Sequence, residues 1–399
     1  MKKENRKKGV FMVMSNANGW RNPKVFGGAE IKTASIINKI EEIDWYIVLP
    51  EQLYEVFSIQ FASNHLHYLP LPVFFTSTNV IKDLFQGLIY TWKCVKIGWE
   101  HRGHFSLIYS ATTNFSDIFP AKIISLITKK PYIVKYHISI YDEPRILRIY
   151  QNFREEKNTI LDSFTRAVLA RVTIIFLKKA SCVLVVCKYL GKQLEGCGII
   201  RNKIKVNYNG LDFDMIKKFR DSSIEKKYDI CCIGRIEKNK GLLDIIDLIK
   251  NLRKDNNDIS AVIIGDGSYL EELKNEIQKS NVKKSITVTG FLGEERYTFL
   301  QQSKLFVSPT YAKEGFGLTL LEALFFGVPI VAYTHPVFEE VFSGYKTVKL
   351  VKQNIDSLKN CVINELGRTE KLATSLNVLD VYSLRNCVAR EKEILLELI

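Results

Sequence analysis

Two carboxylates eight positions apart, Glu314 and Glu322, bracket a glycine-spaced turn in the stretch "YAKEGFGLTLLEALFFGVPIVAY", residues 311 to 333. Gly315 and Gly317 allow a bent backbone there, and a helix is expected to begin near Leu318. The first amides of a helix lack partners within it, so they can receive a phosphate or a sugar hydroxyl with no side chain in the way. Glu314 lies just ahead of that start. Glu322 falls inside the helix among Leu320, Leu321, Ala323 and Leu324, where an ionised carboxylate is costly unless donors satisfy it. Ligand hydroxyls are such donors; the competing reading turns Glu322 to solvent. A second stretch, "IGRIEKNKGLLDII", carries Arg235 and Lys240 on a loop that runs from Gly234 to Gly241. Two cations on one loop after a strand suit a diphosphate, against the plainer alternative of a solvated basic turn.

Other patterns carry less. Gly265-Asp266-Gly267 follows a strand, but the third glycine of a dinucleotide fingerprint is replaced by Leu270, and "GRIEKNKG" lacks the ending of a P-loop. Asp212 and Asp214 form a D-x-D read as turn chemistry, not as a cation site. His101 and His104 stand without a further cluster of metal ligands in nearby sequence. The eight cysteines show no C-x-x-C spacing, and several sit in apolar runs, as expected of buried reduced thiols.

These residues need strands and helices to hold them. At 399 residues two domains are expected, and short β-rich runs alternate with helical patterns through most of the chain, the signature of a parallel α/β architecture. Strands are read at "VFMVMS", "WYIVLP", "LHYLPL", "SLIYS", "YIVKYH", "CVLVVC" and "KIKVNYN", and again at "DICCIG", "SAVIIG", "SITVTGF", "LFVSPT", "PIVAY" and "TVKLV". The polar segment 212 to 227 reads as a linker. The expected division is a first domain over 1–211, a second over 228–378, and a terminal helix over 379–399 packing back on the first. Two such domains facing each other would enclose a cleft at the carboxyl ends of their strands, where open α/β sheets bind ligands.

A formal net charge of +14 favours an anionic partner. Five cations precede residue 9, and the apolar stretch after them is too short for a secretory signal, so the chain is expected to begin with a strand and to stay in the cytoplasm. Residues 165 to 179 form an apolar segment too charged to span a bilayer; a core helix with solvated arginines and a helix lying in a membrane interface are both compatible with it. Nucleic-acid binding is disfavoured, because no aromatic-basic repeat or zinc spacing accompanies the charge.

Together the E-x7-E pair Glu314 and Glu322, the basic pair Arg235 and Lys240, and Asn209-Gly210 before the linker resemble the family-4 glycosyltransferases (glycosyl transferases group 1), retaining enzymes of the GT-B architecture. The similarity covers roughly residues 10 to 345 and is strongest over 228 to 333. It implies two facing Rossmann-like domains, with the acceptor domain first and the nucleotide-sugar domain second. It further implies that Arg235, Lys240, Gly317 and Leu318 hold the donor diphosphate, that Glu322 binds the ribose, and that Glu314, Gly315 and Phe316 hold the donor sugar. In "VFGGAE", Gly27 and Gly28 would form the glycine loop ahead of the helix that Glu30 starts, and His137, just past a strand, would lie near the reacting sugar; a satisfied histidine beneath the sheet edge is the other reading. Where the family has a glycine-rich turn, this chain reads "YTHPVFEEV", with His335 in that region.

The expected reaction is transfer of a hexosyl group, with retention, from a nucleotide-diphosphate sugar to a glycan or lipid-linked glycan. It needs no metal or other cofactor, and a contact with an anionic membrane face is part of the same reading. A sugar-nucleotide epimerase and a non-catalytic nucleotide-sugar binding protein are the alternatives on the same architecture.

Overall fold

A computed structural model describes residues 8–15, 28–72, 80–139, 160–221, 223–254, 258–368 and 380–399. The chain divides into two compact units, Met1–Asn209 with Arg385–Ile399, and Gly210–Leu384.

The first unit contains β1 (Lys8–Val13), β2 (Ile43–Pro50), β3 (Leu66–Leu71), β4 (Leu107–Ser110), β5 (Tyr132–Tyr136), β6 (Cys182–Val185) and β7 (Ile204–Val206). Among the described residues they form one parallel sheet in the order β3-β2-β1-β4-β5-β6-β7. Every residue of β4, β5 and β6 is buried, which explains why these strands read as continuous apolar runs instead of alternating ones. Strand order reverses between β1 and β4, so the crossover helices lie on both faces of the sheet.

The helix Leu384–Leu398 returns to this sheet. Its Glu391 is fully buried. That carboxylate accepts from the Tyr109 hydroxyl at 2.6 Å, the Lys135 ammonium at 2.8 Å and the Asn207 amide at 2.7 Å. Two charges inside an apolar interior are tolerable only because each meets the other and the remaining lone pairs find donors. The segment 165 to 179 falls in the helix Ile160–Lys179, where Thr173, Ile174 and Leu177 are buried while Arg171, Lys178 and Lys179 are exposed. No helix among the described residues is long and apolar enough to cross a membrane. The basic residues 1 to 7 lie outside the described residues.

In the second unit β8 (Tyr228–Ile233), β9 (Ala261–Ile264), β10 (Ile286–Gly290), β11 (Ser303–Ser308), β12 (Ile330–Tyr333) and β13 (Val348–Val351) pair in parallel in the order β10-β9-β8-β11-β12-β13. The helix Leu242–Leu252 buries Leu242, Ile245, Ile246, Ile249 and Leu252 on the sheet, the spacing of one helical face. Order reverses here between β8 and β11, which places the loops after these two strands side by side. The α/β class with two doubly wound sheets is therefore as the residue pattern indicated. Asp212, one half of the D-x-D, accepts the Met215 amide at 3.1 Å and caps the short helix Phe213–Lys217. All eight cysteines are free, and six of them are buried.

Candidate functional site

The loop after β8 is built by close backbone contacts that only glycine permits. A Cβ on Gly265 would lie 1.8 Å from the Gly234 carbonyl oxygen, and one on Gly267 would lie 2.3 Å from that of Ile236. The Ile236 amide donates to the Asp266 carbonyl at 2.8 Å and the Tyr269 amide donates back to Ile236 at 3.0 Å. Gly265-Asp266-Gly267, an incomplete dinucleotide fingerprint in sequence, thus serves as the platform beneath the basic loop. On the other side Gly241, at φ +67°, presses on the Pro309 carbonyl, and the Tyr311 amide donates to Asn239 at 2.9 Å. The loops after β8 and β11 are locked together.

Across that seam the Lys240 ammonium meets Glu314 at 2.6 Å, each side chain only 18% exposed. The expected diphosphate cation and the expected sugar-binding acid are therefore partners of each other. Glu314 also accepts from the Thr310 hydroxyl at 3.3 Å, and its amide donates to His335 Nε2 at the same distance. His335 thereby ties the turn ahead of Leu318 to the segment after β12. Arg235 is exposed and donates to Glu237 at 2.8 Å, one of its five donors.

The helix begins as expected, at Leu318, and runs to Phe325. Gly317 precedes it at φ +92°, ψ +51°. Phe316 is buried and packs edge-on against Tyr382, 5.5 Å between ring centres, which anchors the turn; Gly315 beside it is half-buried. Glu322 does not face solvent. It is buried and paired with Arg296, Nη2 to Oε1 at 2.7 Å, with the Tyr297 hydroxyl at 3.4 Å from the same oxygen. Burial alone would lower the Arg296 pKa, but the hydrogen bond and charge of Glu322 hold it above its ordinary value.

Residues 214–375 match the family model for glycosyl transferases group 1. That match places the second unit among the group 1 glycosyltransferase domains. An uncharacterized 41.2 kDa protein of the cps region of Klebsiella pneumoniae is 27% identical over 80% of this chain and 82% of its own length. A 2-deoxystreptamine N-acetyl-D-glucosaminyltransferase of Niallia circulans is 26% identical over 36% of each chain. The crystal structure of Anabaena HepE in complex with UDP-glucose shares the fold, with a TM-score of 0.73, 17% identity and coverage of 98% of this chain and 100% of that one.

Within this glycosyltransferase-like unit, residue patterns pointed to neither Arg296 nor the tyrosine pair Tyr311 and Tyr333. Both tyrosine hydroxyls donate to one oxygen of Asp244, at 2.6 and 2.5 Å, and so tie the helix after the basic loop to the loop after β11 and to β12. Arg296 lies 26 residues before Glu322, beyond any local spacing rule. A Cβ at Gly317 would lie 2.7 Å from the Phe338 ring and 3.0 Å from Phe342. Gly317→Ala should therefore cost about 2 kcal/mol or more, from a left-handed backbone and an overfilled contact. Urea unfolding reads this directly, and a midpoint equal to the parent's would refute it.

In the first unit, Gly28 opens the helix Gly28–Ile37, and a Cβ there would meet nothing within 4 Å; Gly27 lies outside the described residues. His137, just after β5, donates from Nε2 to the Ala111 carbonyl at 3.1 Å, with Thr33 Oγ1 at 3.5 Å. Its buried Nδ1 has no hydrogen-bond partner among the described residues. Burial, with the Lys135 charge second, lowers its pKa to about 3, so the ring is neutral at physiological pH. Nearby in sequence, Asp117 was unforeseen. It is fully buried and accepts from the Ser15 amide at 2.6 Å and the Thr112 hydroxyl at 2.5 Å. Burial raises its pKa to about 6. A raised carboxyl pKa means the folded state binds the proton more tightly, so this group withdraws stability as pH rises from about 4 through 6.

Proposed function

We propose that the protein transfers a hexosyl group from a nucleoside diphosphate sugar to a hydroxyl of a glycan or lipid-linked glycan, with retention and without a metal ion. The contact of Lys240 with Glu314 at the strand-order reversal, beside the helix start at Leu318, carries this reading. As the bond from the sugar's C1 to the diphosphate breaks, negative charge grows on the leaving phosphate. Arg235, Lys240 and the Gly317 and Leu318 amides stabilise it more in the transition state than in the ground state. The acceptor oxygen bonds to C1 on the face the phosphate leaves, and its proton passes to a phosphate oxygen.

Glu314, Gly315 and Phe316 are assigned to the donor sugar and Glu322 to the ribose. Glu322 keeps capacity for that role, because Oε2 accepts only a long contact of 3.4 Å from Arg296. His137 offers its Nδ1 lone pair as acceptor for a sugar hydroxyl. Gly27 and Gly28 are assigned to the glycine loop.

A thermal-shift panel of UDP-, GDP- and ADP-sugars tests the donor. One base is expected to raise the melting temperature together with its free diphosphate, since saturation at a hundred times Kd adds about 2.7 kcal/mol. No shift with any nucleotide would overturn the donor assignment. Conversion of the donor into its epimer without an acceptor would overturn transfer.

A further inference from the structure

The helix Val80–Glu100 buries one side and still leaves an aromatic stripe on the other. Its buried face carries Gln86, Gly87, Tyr90, Thr91, Cys94 and Gly98, whereas Phe85, Leu88, Trp92 and Trp99 are exposed at 62, 46, 66 and 47%. The glycines account for the buried side: a Cβ on Gly98 would lie 2.9 Å from Ile124, and Gly87 faces the Phe115 ring, so the helix seats closely on its neighbour Phe115–Thr128. The exposed residues recur at intervals of 3, 4 and 7, which keeps them on one line along the helix. Soluble surfaces rarely present such a stripe without an occupant.

Cations cluster at its Trp99 end. Lys96 is exposed on the same helix face, and Arg102 lies 4.2 Å over the Trp99 ring. Lys130 donates to the Arg102 carbonyl, which brings the exposed Lys129 and Leu126 to the same end. Glu100 is the exposed acid among them.

We infer that this stripe is a docking surface for an anionic lipid bilayer, with Trp92 and Trp99 seated at the headgroup level and Lys96, Arg102 and Lys129 on lipid phosphates. Tryptophan favours that depth because its ring is apolar and its N–H is polar, and a basic rim adds attraction to anionic lipid. The formal net charge of +14 has the matching sign. The inference stands apart from sugar transfer, since it uses none of the residues assigned to the donor.

The test is flotation of the full chain with phosphatidylcholine vesicles, with and without phosphatidylglycerol. The parent is expected to float with the anionic vesicles at low salt, to bind neutral ones weakly, and to be released by high salt. The pair Trp92→Ser with Trp99→Ser should lower partition about tenfold or more, and Lys96→Gln about fivefold. Circular dichroism and donor-induced melting shifts should match the parent in both variants. Quenching of parent tryptophan fluorescence by brominated lipid should vanish in the tryptophan variant to the level left by Trp20 and Trp45. Undiminished flotation of that variant would overturn the inference. So would a parent that ignores the vesicles, including one whose stripe instead pairs two copies of the chain in sedimentation.

Discussion

Lys240→Ala is expected to lower kcat by about a hundredfold to a thousandfold, the usual consequence of removing one preorganised donor from a developing anion. Lys240 sits at the seam of two loops with Glu314 at 2.6 Å and only 18% of its side chain exposed, so a bound diphosphate would meet an ammonium already fixed in place. Its removal leaves Glu314 with Thr310 as a donor, and the partly solvated pair contributes on the order of 1 kcal/mol to stability. Turnover should therefore fall far more than the urea midpoint. Lys240→Arg should recover only part of the rate, because the longer planar group cannot occupy the same contact. Transfer by the alanine variant within a few-fold of the parent, under saturating donor, would remove Lys240 from the chemistry.

The largest stability effect is expected in the first unit. Glu391→Ala leaves the Lys135 ammonium buried and uncompensated, and removes acceptors from Tyr109 and Asn207 as well. Breaking such a pair from one side costs about 3–5 kcal/mol. The paired replacement, Glu391→Leu with Lys135→Met, should regain the part of that loss due to the stranded ammonium, while Tyr109 and Asn207 still lack their acceptor. Urea unfolding of the parent, Glu391→Leu, Lys135→Met and the double completes the cycle. A single variant within about 1 kcal/mol of the parent would show that the pair is not a principal fastening of the helix Leu384–Leu398.

Much of the fold could be read directly because parallel strands are buried on both faces and so appear as short apolar runs. Each of the thirteen runs read as a strand overlaps one, and the helix start at Leu318 fell where Gly315 and Gly317 placed it. What remained hidden depends on long-range pairing. The partners Arg296 of Glu322 and Lys135 of Glu391 are separated from them by 26 and 256 residues, and no periodicity links such positions. The exposed stripe of Val80–Glu100 was hidden for a different reason: aromatics recur on more than one side of this helix, and only the close seating of Gly87 and Gly98, with Tyr90 and Cys94 buried, shows which side stays outside. His335 belongs with the long-range pairs, since its ring nitrogen accepts the Glu314 amide across 21 residues.

The return of the helix Leu384–Leu398 to the first unit bears on synthesis at the ribosome. Lys135 is made 256 residues before its counter-charge, so the amino-terminal sheet waits with an unneutralised ammonium while Gly210–Leu384 emerges entire. The usual progression, in which the earlier domain matures first, is thereby inverted. Nascent chains stalled short of Glu391 would hold a finished carboxyl-terminal unit beside an unfinished amino-terminal one, the half that quality-control proteases would recognise.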